Sequence, residues 1–225
     1  MLKGFYMTRL SYYLKFAIPV SLALGISIRA EALHLDDKSF AGTSHAKTPS
    51  AGATDLKELN RIFYNSLAGG DTTGSRSLLK QILVNVGKPG NDSLTSSDSH
   101  YYAGIYFLLR DKFTESEKHF KKASEIREYL AVFDTTYAKT FYNLGVVYSS
   151  LGDYSRMEQS VLKSVETEKQ LYGESSPELA EGYSSLSTAC LGMKEYDRAI
   201  NYGNTALKII ARRETLYTEL LADLY

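Results

Sequence analysis

The sequence lacks most of the residues and motifs on which enzymes and metal proteins depend. It has one cysteine and no tryptophan in 225 residues. A single cysteine excludes an intramolecular disulfide and a zinc site built from paired cysteines. The glycine-rich phosphate loop, the Gly-x-Ser-x-Gly nucleophile elbow and the His-Glu-x-x-His zinc motif are also missing. We therefore predict a chain that is not an enzyme and that has no cofactor and no metal site.

The chain also lacks an excess of charge of either sign. Its 26 lysines and arginines are balanced by 26 aspartates and glutamates. Nucleic-acid-binding domains usually show a basic excess, so this balance predicts no nucleic-acid partner. The apolar share of 44% suits one globular or solenoid unit with a continuous core. Tyrosine, with eighteen residues, supplies most of the aromatic side chains.

The first 32 residues have the composition of an export signal. No acidic residue precedes Glu31, three basic residues stand near the start, and residues 16–28 are mostly apolar. That run is too short to span a bilayer comfortably, and Ala30-Glu-Ala32 follows it as a small-x-small pattern that suits signal peptidase. We predict that residues 1–32 are a cleaved signal and that the chain is exported to the periplasm, cell envelope or extracellular space. An uncleaved N-terminal anchor is the alternative, and it would be the chain's one contact with a membrane.

Residues 33–54 are rich in small and polar residues and show no helical period. Such a stretch buries too little apolar surface to offset the entropy lost on ordering. We predict a flexible tether that joins the signal to the helical part of the chain.

From Asp55 onward the sequence repeats itself. Tyr154 and Tyr196 are separated by 42 positions, and the residues around them align over a whole helical hairpin. Phe113 precedes Tyr154 by 41 positions, and a further step of 41 reaches a degenerate first copy. A fixed period of this size is the signature of a repeat array, in which each unit buries its apolar face against its neighbours. We therefore predict about four helical hairpins in residues 55–213.

Small residues in the third copy mark where its two helices meet. Gly145 in the first helix and Ser164 in the second lie on facing stripes, so the two antiparallel backbones can approach closely. Gly152 follows the first helix and suits the positive φ of a helix C-cap. Cys190 falls on the packed face of the fourth copy, where we predict a small buried apolar residue.

Two segments interrupt or end this regularity. Residues 87–98 are predicted to form a loop whose serines and aspartates cap the next helix. At the C-terminus, Tyr225 matches Tyr183 at the spacing of 42, so residues 214–225 are predicted to start a fifth repeat or to form a capping helix. The segment Leu216–Tyr225 is markedly apolar, which favours a longer natural array or an end that pairs with a partner or with itself.

Charged residues crowd the stretch 115–128, where Glu117 and Lys121 have the favourable i to i+4 spacing. We predict that this stretch, Arg127 included, forms a solvated helix face, and a specific charged groove is the alternative. The four histidines are scattered and predict no metal site: His34, His45, His100 and His119.

The aligned copies carry a recognisable pattern. Numbered with leucine at position seven, they share an aromatic residue at four, a small residue at eight and, in the last copy, an alanine at twenty: Phe141 and Tyr183, Gly145 and Ser187, and Ala199. This pattern resembles the tetratricopeptide repeat, in the long-period variant of kinesin light chains and many bacterial arrays. The resemblance implies an all-α fold in which antiparallel helical hairpins stack into a right-handed superhelix, an α-solenoid.

The resemblance also implies a binding surface. In such stacks the first helix of each hairpin lines a concave groove, and its second, fifth, sixth, ninth and twelfth residues point into it. We predict that a protein or peptide segment binds there through Tyr101, Tyr102, Ile105, Lys139, Tyr142, Asn143, Val146, Ser184 and Thr188. Asn143 matches the asparagine that holds the backbone of a bound peptide in kinesin light-chain-like repeats, whereas Tyr102 and Ser185 do not continue that ladder.

Two function classes are open at this point. The first is an exported, non-enzymatic scaffold that holds a peptide or protein segment in the groove. The second is the N-terminal sensory or regulatory module of a longer signalling protein whose effector domain lies beyond Tyr225. The reading frame after Tyr225 distinguishes them, because further repeats followed by a membrane span or a catalytic domain would favour the second class.

Overall fold

The computed structural model describes residues 55–88 and 93–222, which lie in one compact unit, Gly42–Tyr225. All regular structure in these two ranges is α-helical. The helices are α1 Leu56–Ala68, α2 Thr72–Asn85, α3 Ser93–Leu108, α4 Phe113–Tyr129, α5 Thr135–Ser150, α6 Tyr154–Tyr172, α7 Leu179–Gly192 and α8 Tyr196–Ala222. They pair in chain order as four hairpins, which confirms the predicted all-α solenoid. The predicted signal and tether lie outside the described residues.

One turn geometry closes all four hairpins. A residue with a φ between 57° and 73° stands at Gly70, Asp111, Gly152 and Lys194, at steps of 41 or 42 positions. The next residue donates its N–H to the carbonyl five positions back, as Asp153 does to Tyr148 at 2.9 Å. This is the left-handed cap that commonly ends a helix, and the positive φ predicted at Gly152 is confirmed.

The two helices of the second hairpin, and those of the third, are in close contact at a glycine. A Cβ added at Gly145 on α5 would lie 2.5 Å from Cγ2 of Val161 on α6. A Cβ added at Gly104 on α3 would lie 2.6 Å from the ring of Phe120 on α4. Because real Cβ atoms do not approach that closely, both glycines are required for the observed packing. The predicted approach at Gly145 is confirmed.

Successive hairpins stack by placing the first helix of one against the second helix of the hairpin before it. Gly182 on α7 lies over Val165 of α6, and Gly192 lies over the ring of Tyr154. A side chain at either glycine would meet those groups, so at both places the backbone of α7 packs directly against side chains of α6. Cys190, at the same junction, is buried as predicted.

The start of α3 corrects the loop prediction. Residues 93–98 belong to the helix, and two of its serines bond to other helices. The position where a cap of this helix would stand lies outside the described residues. Ser97 donates to the carbonyl of Ala123 at 2.7 Å, and Ser99 donates to Oδ1 of Asn60 at 2.9 Å. Small hydroxyl residues are therefore tolerated inside this helix, because tertiary partners satisfy them.

At the other end, α8 runs without a break to Ala222, so residues 214–222 extend the second helix of the fourth hairpin. No turn marks the predicted start of a fifth repeat within them. The side chains of the predicted self-association segment, Leu216–Tyr225, lie outside those that the structure describes. Among the described residues, no helix is both long enough and apolar enough to cross a membrane.

Candidate functional site

The first helices of the four hairpins contact one another in sequence, and each contact involves a tyrosine. The rings of Tyr64 on α1 and Tyr102 on α3 meet edge to face with 5.7 Å between their centroids. The side chain of Asn143 on α5 hydrogen-bonds the hydroxyl of Tyr101 on α3. The hydroxyl of Tyr142 on α5 donates to Oε1 of Glu181 on α7 at 2.7 Å. These contacts place residues of all four first helices along one continuous surface, which we call the groove.

The nine residues predicted for the groove divide by burial. Tyr101, Ile105 and Asn143 are buried, at 6%, 3% and 1% exposed, so they form its wall. Ser184 is exposed, and the remaining five keep part of their surface open: Tyr102, Lys139, Tyr142, Val146 and Thr188. Ser184 and the five partly open residues therefore have side chains that solvent can reach.

Asn143 combines burial with an unsatisfied polar atom. Its side-chain Oδ1 is buried and accepts no hydrogen bond from the described residues. Leaving a buried acceptor unpaired costs about 1–3 kcal/mol. A donor group brought in by a ligand would recover that cost once the side chain turned toward it.

Tyr142 is held between two polar groups of α7. Its hydroxyl donates to Glu181 and accepts from Oγ of Ser185 at 3.4 Å. Burial, and then the negative charge of Glu181, raise the pKa of Tyr142 well above its usual value. Burial also raises the pKa of Tyr101. Both tyrosines therefore stay neutral hydrogen-bonding groups at any physiological pH.

Lys139 is the one predicted groove residue with a charge. It lies on α5, one turn before Tyr142 and Asn143, and its side chain is partly exposed. No carboxylate among the described residues forms a salt bridge with it. An unpaired ammonium beside polar and aromatic groups attracts an acidic group on a ligand.

The prediction missed Tyr64, and the period could have found it. A step of 41 positions back from Ile105 reaches Tyr64, which is buried at 8% exposed and contributes α1 to the groove. The predicted groove residues include none from the first hairpin. Glu181 and Ser185 of α7 lie at the second and sixth positions of their copy, which the spacing itself assigns to the groove.

Arg127 corrects the prediction of a solvated face on α4. Its side chain is 2% exposed and contacts two carboxylates, Oδ1 of Asp98 at 2.5 Å and Oδ1 of Asp134 at 3.0 Å. It also donates to the hydroxyl of Ser97. Asp134 is the N-cap of α5, where the same Oδ1 accepts the N–H of Tyr137 at 2.9 Å. Arg127 thus joins the second hairpin to the third beneath the groove.

Comparisons with known proteins agree with this geometry. The family model of the tetratricopeptide repeat matches residues 136–212, which span the third and fourth hairpins up to the middle of α8. Residues 136–212 are tetratricopeptide repeats. The first two hairpins share with them the positive-φ turn at the same period. A search of curated proteins finds no match to the sequence.

Solved structures of tetratricopeptide-type proteins share the fold. BtubC (BKLC) from P. vanneervenii superposes with a TM-score of 0.61 at 18% identity, over 68% of this chain and 61% of that one. MamA gives 0.57 at 21% identity, over 73% and 84%. A putative kinesin light chain from Podosopora anserina with nearly identical TPR-like repeats gives 0.58 at 14% identity, over 85% and 93%. The chain spans about three fifths of the length of BtubC. At these identities the likeness concerns the fold alone.

A histidine pair lies in the second hairpin, between α3 and α4. Nδ1 of His100 on α3 lies 3.0 Å from Nδ1 of His119 on α4, and the ring of His119 stacks on Phe107 with 5.3 Å between the centroids. Burial, and then the charge of the other ring, lower the pKa of His100 to about 4. Burial also lowers the pKa of His119. Within residues 55–88 and 93–222, no group of three side chains could hold a metal ion.

Proposed function

We propose that this chain is a non-enzymatic scaffold whose groove binds an extended segment of a peptide or protein. Tetratricopeptide repeats generally bind proteins or peptides, and residues 136–212 match that family. Four first helices in contact offer a surface longer than any single helix, as an extended ligand requires.

The observation that carries the proposal is the unpaired Oδ1 of Asn143. A backbone N–H of an extended ligand is a donor of the right kind, and in similar repeats an asparagine at this position binds a peptide backbone. Rotation of the Asn143 side chain toward the groove would bring Oδ1 to such an N–H. The ligand would then stabilise an arrangement that the free protein leaves unsatisfied.

The neighbouring side chains define what the ligand carries. Tyr102 offers a ring face, and Val146 and Thr188 offer apolar and hydroxyl surface further along the groove. Lys139, without a salt bridge to a described carboxylate, pairs with an acidic side chain of the ligand. We therefore propose an extended segment with an acidic residue close to the backbone group that Asn143 binds.

A random peptide library displayed on phage, selected against the full chain, tests this proposal. The selected peptides are expected to share an acidic residue and to lose at least tenfold in affinity for a variant with Tyr102→Ala, Lys139→Ala and Ser184→Ala. A matched control with Lys80→Ala, Glu166→Ala and Gln170→Ala changes exposed residues of the second helices and is expected to bind normally. Equal affinities for all three proteins would place the binding surface outside the groove.

Asn143 needs a separate measurement because it is buried. Asn143→Leu removes the unpaired acceptor together with the rest of the amide, and it is expected to weaken the selected peptides with little loss of helicity. Retained affinity for this variant, with an unchanged circular dichroism spectrum, would exclude a role for the amide. Catalytic turnover that a groove substitution abolished would contradict a non-enzymatic scaffold.

Export remains part of the proposal, on the evidence of the sequence. The basic start, the short apolar run and Ala30-Glu-Ala32 support a signal cleaved after Ala32. N-terminal sequencing of the secreted or periplasmic protein is expected to begin at Leu33. A protein that begins at Met1 in the membrane fraction would indicate the uncleaved anchor.

A further inference from the structure

The outward face of α8 carries a stripe of large apolar side chains that no described residue covers. Its members are Tyr196, Ile200, Leu207 and Ile210, exposed by 61%, 59%, 52% and 37%. They follow one another at three-, four- and seven-residue steps, so they share one side of the helix. We call them the α8 stripe. Ala199 and Ala206, which face α7, are buried.

On α6, the face equivalent to the α8 stripe packs against the next hairpin. Val165, 42 positions before Leu207, is buried beneath Gly182 of the next hairpin. The α8 stripe therefore lies where a further helix would stack.

The chemistry of the two faces differs. Ile200 stands where α6 has Glu158, which pairs with Arg198 of the next hairpin, and Ile210 stands where α6 has Glu168. The internal junction uses carboxylates at two positions where α8 presents isoleucine. The exposed face of α8 is therefore less polar than the covered face of α6 at the equivalent positions.

The spacing of the α8 stripe is symmetric about its own midpoint. Ile200 and Leu207 lie at equal distances on either side of the point between Gly203 and Asn204, and Tyr196 and Ile210 lie about two turns from it. A two-fold axis through that point places Ile200 of one helix against Leu207 of an antiparallel second helix. Self-complementarity of this kind is what an isologous interface requires.

The charges beside the α8 stripe obey the same symmetry. Asp197 and Lys208 are about three turns apart, so they lie along the same edge of the α8 stripe, and both are exposed. Neither forms a salt bridge with a described residue. In the antiparallel arrangement Asp197 of the first copy faces position 210 of the second copy. Lys208 of the second copy is two residues from that position. Asp197 of each copy would therefore form an ion pair with Lys208 of the other, and the two ion pairs would flank the apolar contact.

We propose that the α8 stripe is a dimer interface, on which a second copy of this chain packs with its α8 antiparallel to the first. The second copy is preferred to another partner because the apolar spacing and the flanking charges are both complementary to themselves. The groove lies on the first helices, so the dimer would present two grooves.

Sedimentation equilibrium of the full chain tests the dimer directly. The wild type is expected to be dimeric at micromolar concentration, and Ile200→Glu with Leu207→Glu is expected to weaken association at least a hundredfold. The matched control, Leu83→Glu with Val84→Glu, adds the same charges on exposed positions of α2 and is expected to leave the dimer intact. A monomeric wild type, or an association that both double variants retain equally, would overturn the proposal.

Charge reversal tests the antiparallel direction. Asp197→Lys alone and Lys208→Asp alone are each expected to weaken the dimer several-fold, because each creates two like-charge contacts. The double variant with both reversals is expected to restore the affinity. Additive weakening in the double variant would exclude the antiparallel pairing.

Cross-linking locates the two-fold axis. Asn204 lies beside the midpoint of the α8 stripe, and Asn201 is exposed on another side of the same helix. Asn204→Cys is expected to form a disulfide-linked dimer under mild oxidation, whereas Asn201→Cys is expected to stay unlinked. Equal cross-linking of the two variants would place the contact elsewhere. Circular dichroism of every variant separates loss of the interface from loss of the fold.

Discussion

A buried arginine joins the second hairpin to the third, whereas the third and fourth hairpins also meet through glycine backbone packed against side chains. At the first, the buried Arg127 connects Asp98 of α3 with Asp134 at the start of α5. At the second, Gly182 and Gly192 lie directly over residues of α6. Both junctions place a first helix against the preceding second helix.

The two junctions place their helices in the same way, as the repeat period requires. The residues that make the contacts differ from one junction to the next. The polar junction depends on charge and on the fork geometry of one guanidinium. The glycine junction depends on the absence of a side chain. Substitutions at the two junctions should therefore fail in different ways.

The largest effect is expected at the polar junction. Arg127→Ala leaves a cavity and removes the partner of two carboxylates, so the free energy of unfolding should fall by about 3 kcal/mol. Arg127→Lys keeps the positive charge but loses the planar guanidinium that contacts both carboxylates. It should lower the free energy of unfolding by less than Arg127→Ala does. Urea unfolding followed by circular dichroism measures both. An unchanged midpoint for Arg127→Ala would show that the two aspartates are solvated well enough without it.

The second prediction concerns the pH dependence of stability. It involves His100 of the second hairpin and no residue of the glycine junction. The pKa of His100 is lowered to about 4, so the folded protein favours the neutral ring. The unfolded chain binds the proton more readily, and stability that is present above pH of about 6.5 is lost as the pH falls toward 4. Between pH of about 7 and about 5 the free energy of unfolding should fall by roughly 1–2 kcal/mol.

The control for the pH effect removes both rings. His100→Gln with His119→Gln should flatten the dependence of the urea midpoint on pH between about 7 and 5. Lys118 and Lys122 also lower the pKa of His100, and the double variant leaves both lysines in place. A double variant with the same pH dependence as the wild type would assign the effect to other groups.

The smallest effect is expected from one methyl group at the glycine junction. Gly182→Ala places a Cβ against Cγ2 of Val165 and should lower the free energy of unfolding by about 1 kcal/mol. Gly203→Ala, the same change in α8, meets only Oγ of Ser187 at 3.4 Å and should raise it by up to about 1 kcal/mol. Thermal unfolding compares the two. Stabilisation by both substitutions would mean that α6 and α7 can separate without cost.

Much of the fold could be predicted because its signals are local. The left-handed turn at Gly152 follows from glycine's lack of a Cβ, and the close approach at Gly145 follows from its place on the inner stripe. The left-handed turns at Asp111 and Lys194 carry no such signal in the residue itself. They could be located only by the period.

The groove was predicted less completely than the fold. Helical spacing placed all nine residues on first helices, yet it could not tell that Tyr101, Ile105 and Asn143 would be covered. Burial depends on how far each hairpin rotates against its neighbour, and that rotation is set by side chains distant in the sequence. The unpaired Oδ1 of Asn143 is visible only after those neighbours are in place.

The sequence by itself determined the helical hairpins, their period and the glycines that let them pack, because propensity, spacing and turn residues act over a few positions. The tertiary structure alone decided that Arg127 is buried between two aspartates while its charged neighbours face water. It also decided that the α8 stripe is exposed although its equivalent on α6 is covered. Both depend on which surfaces meet after stacking, and no short stretch of sequence contains that information.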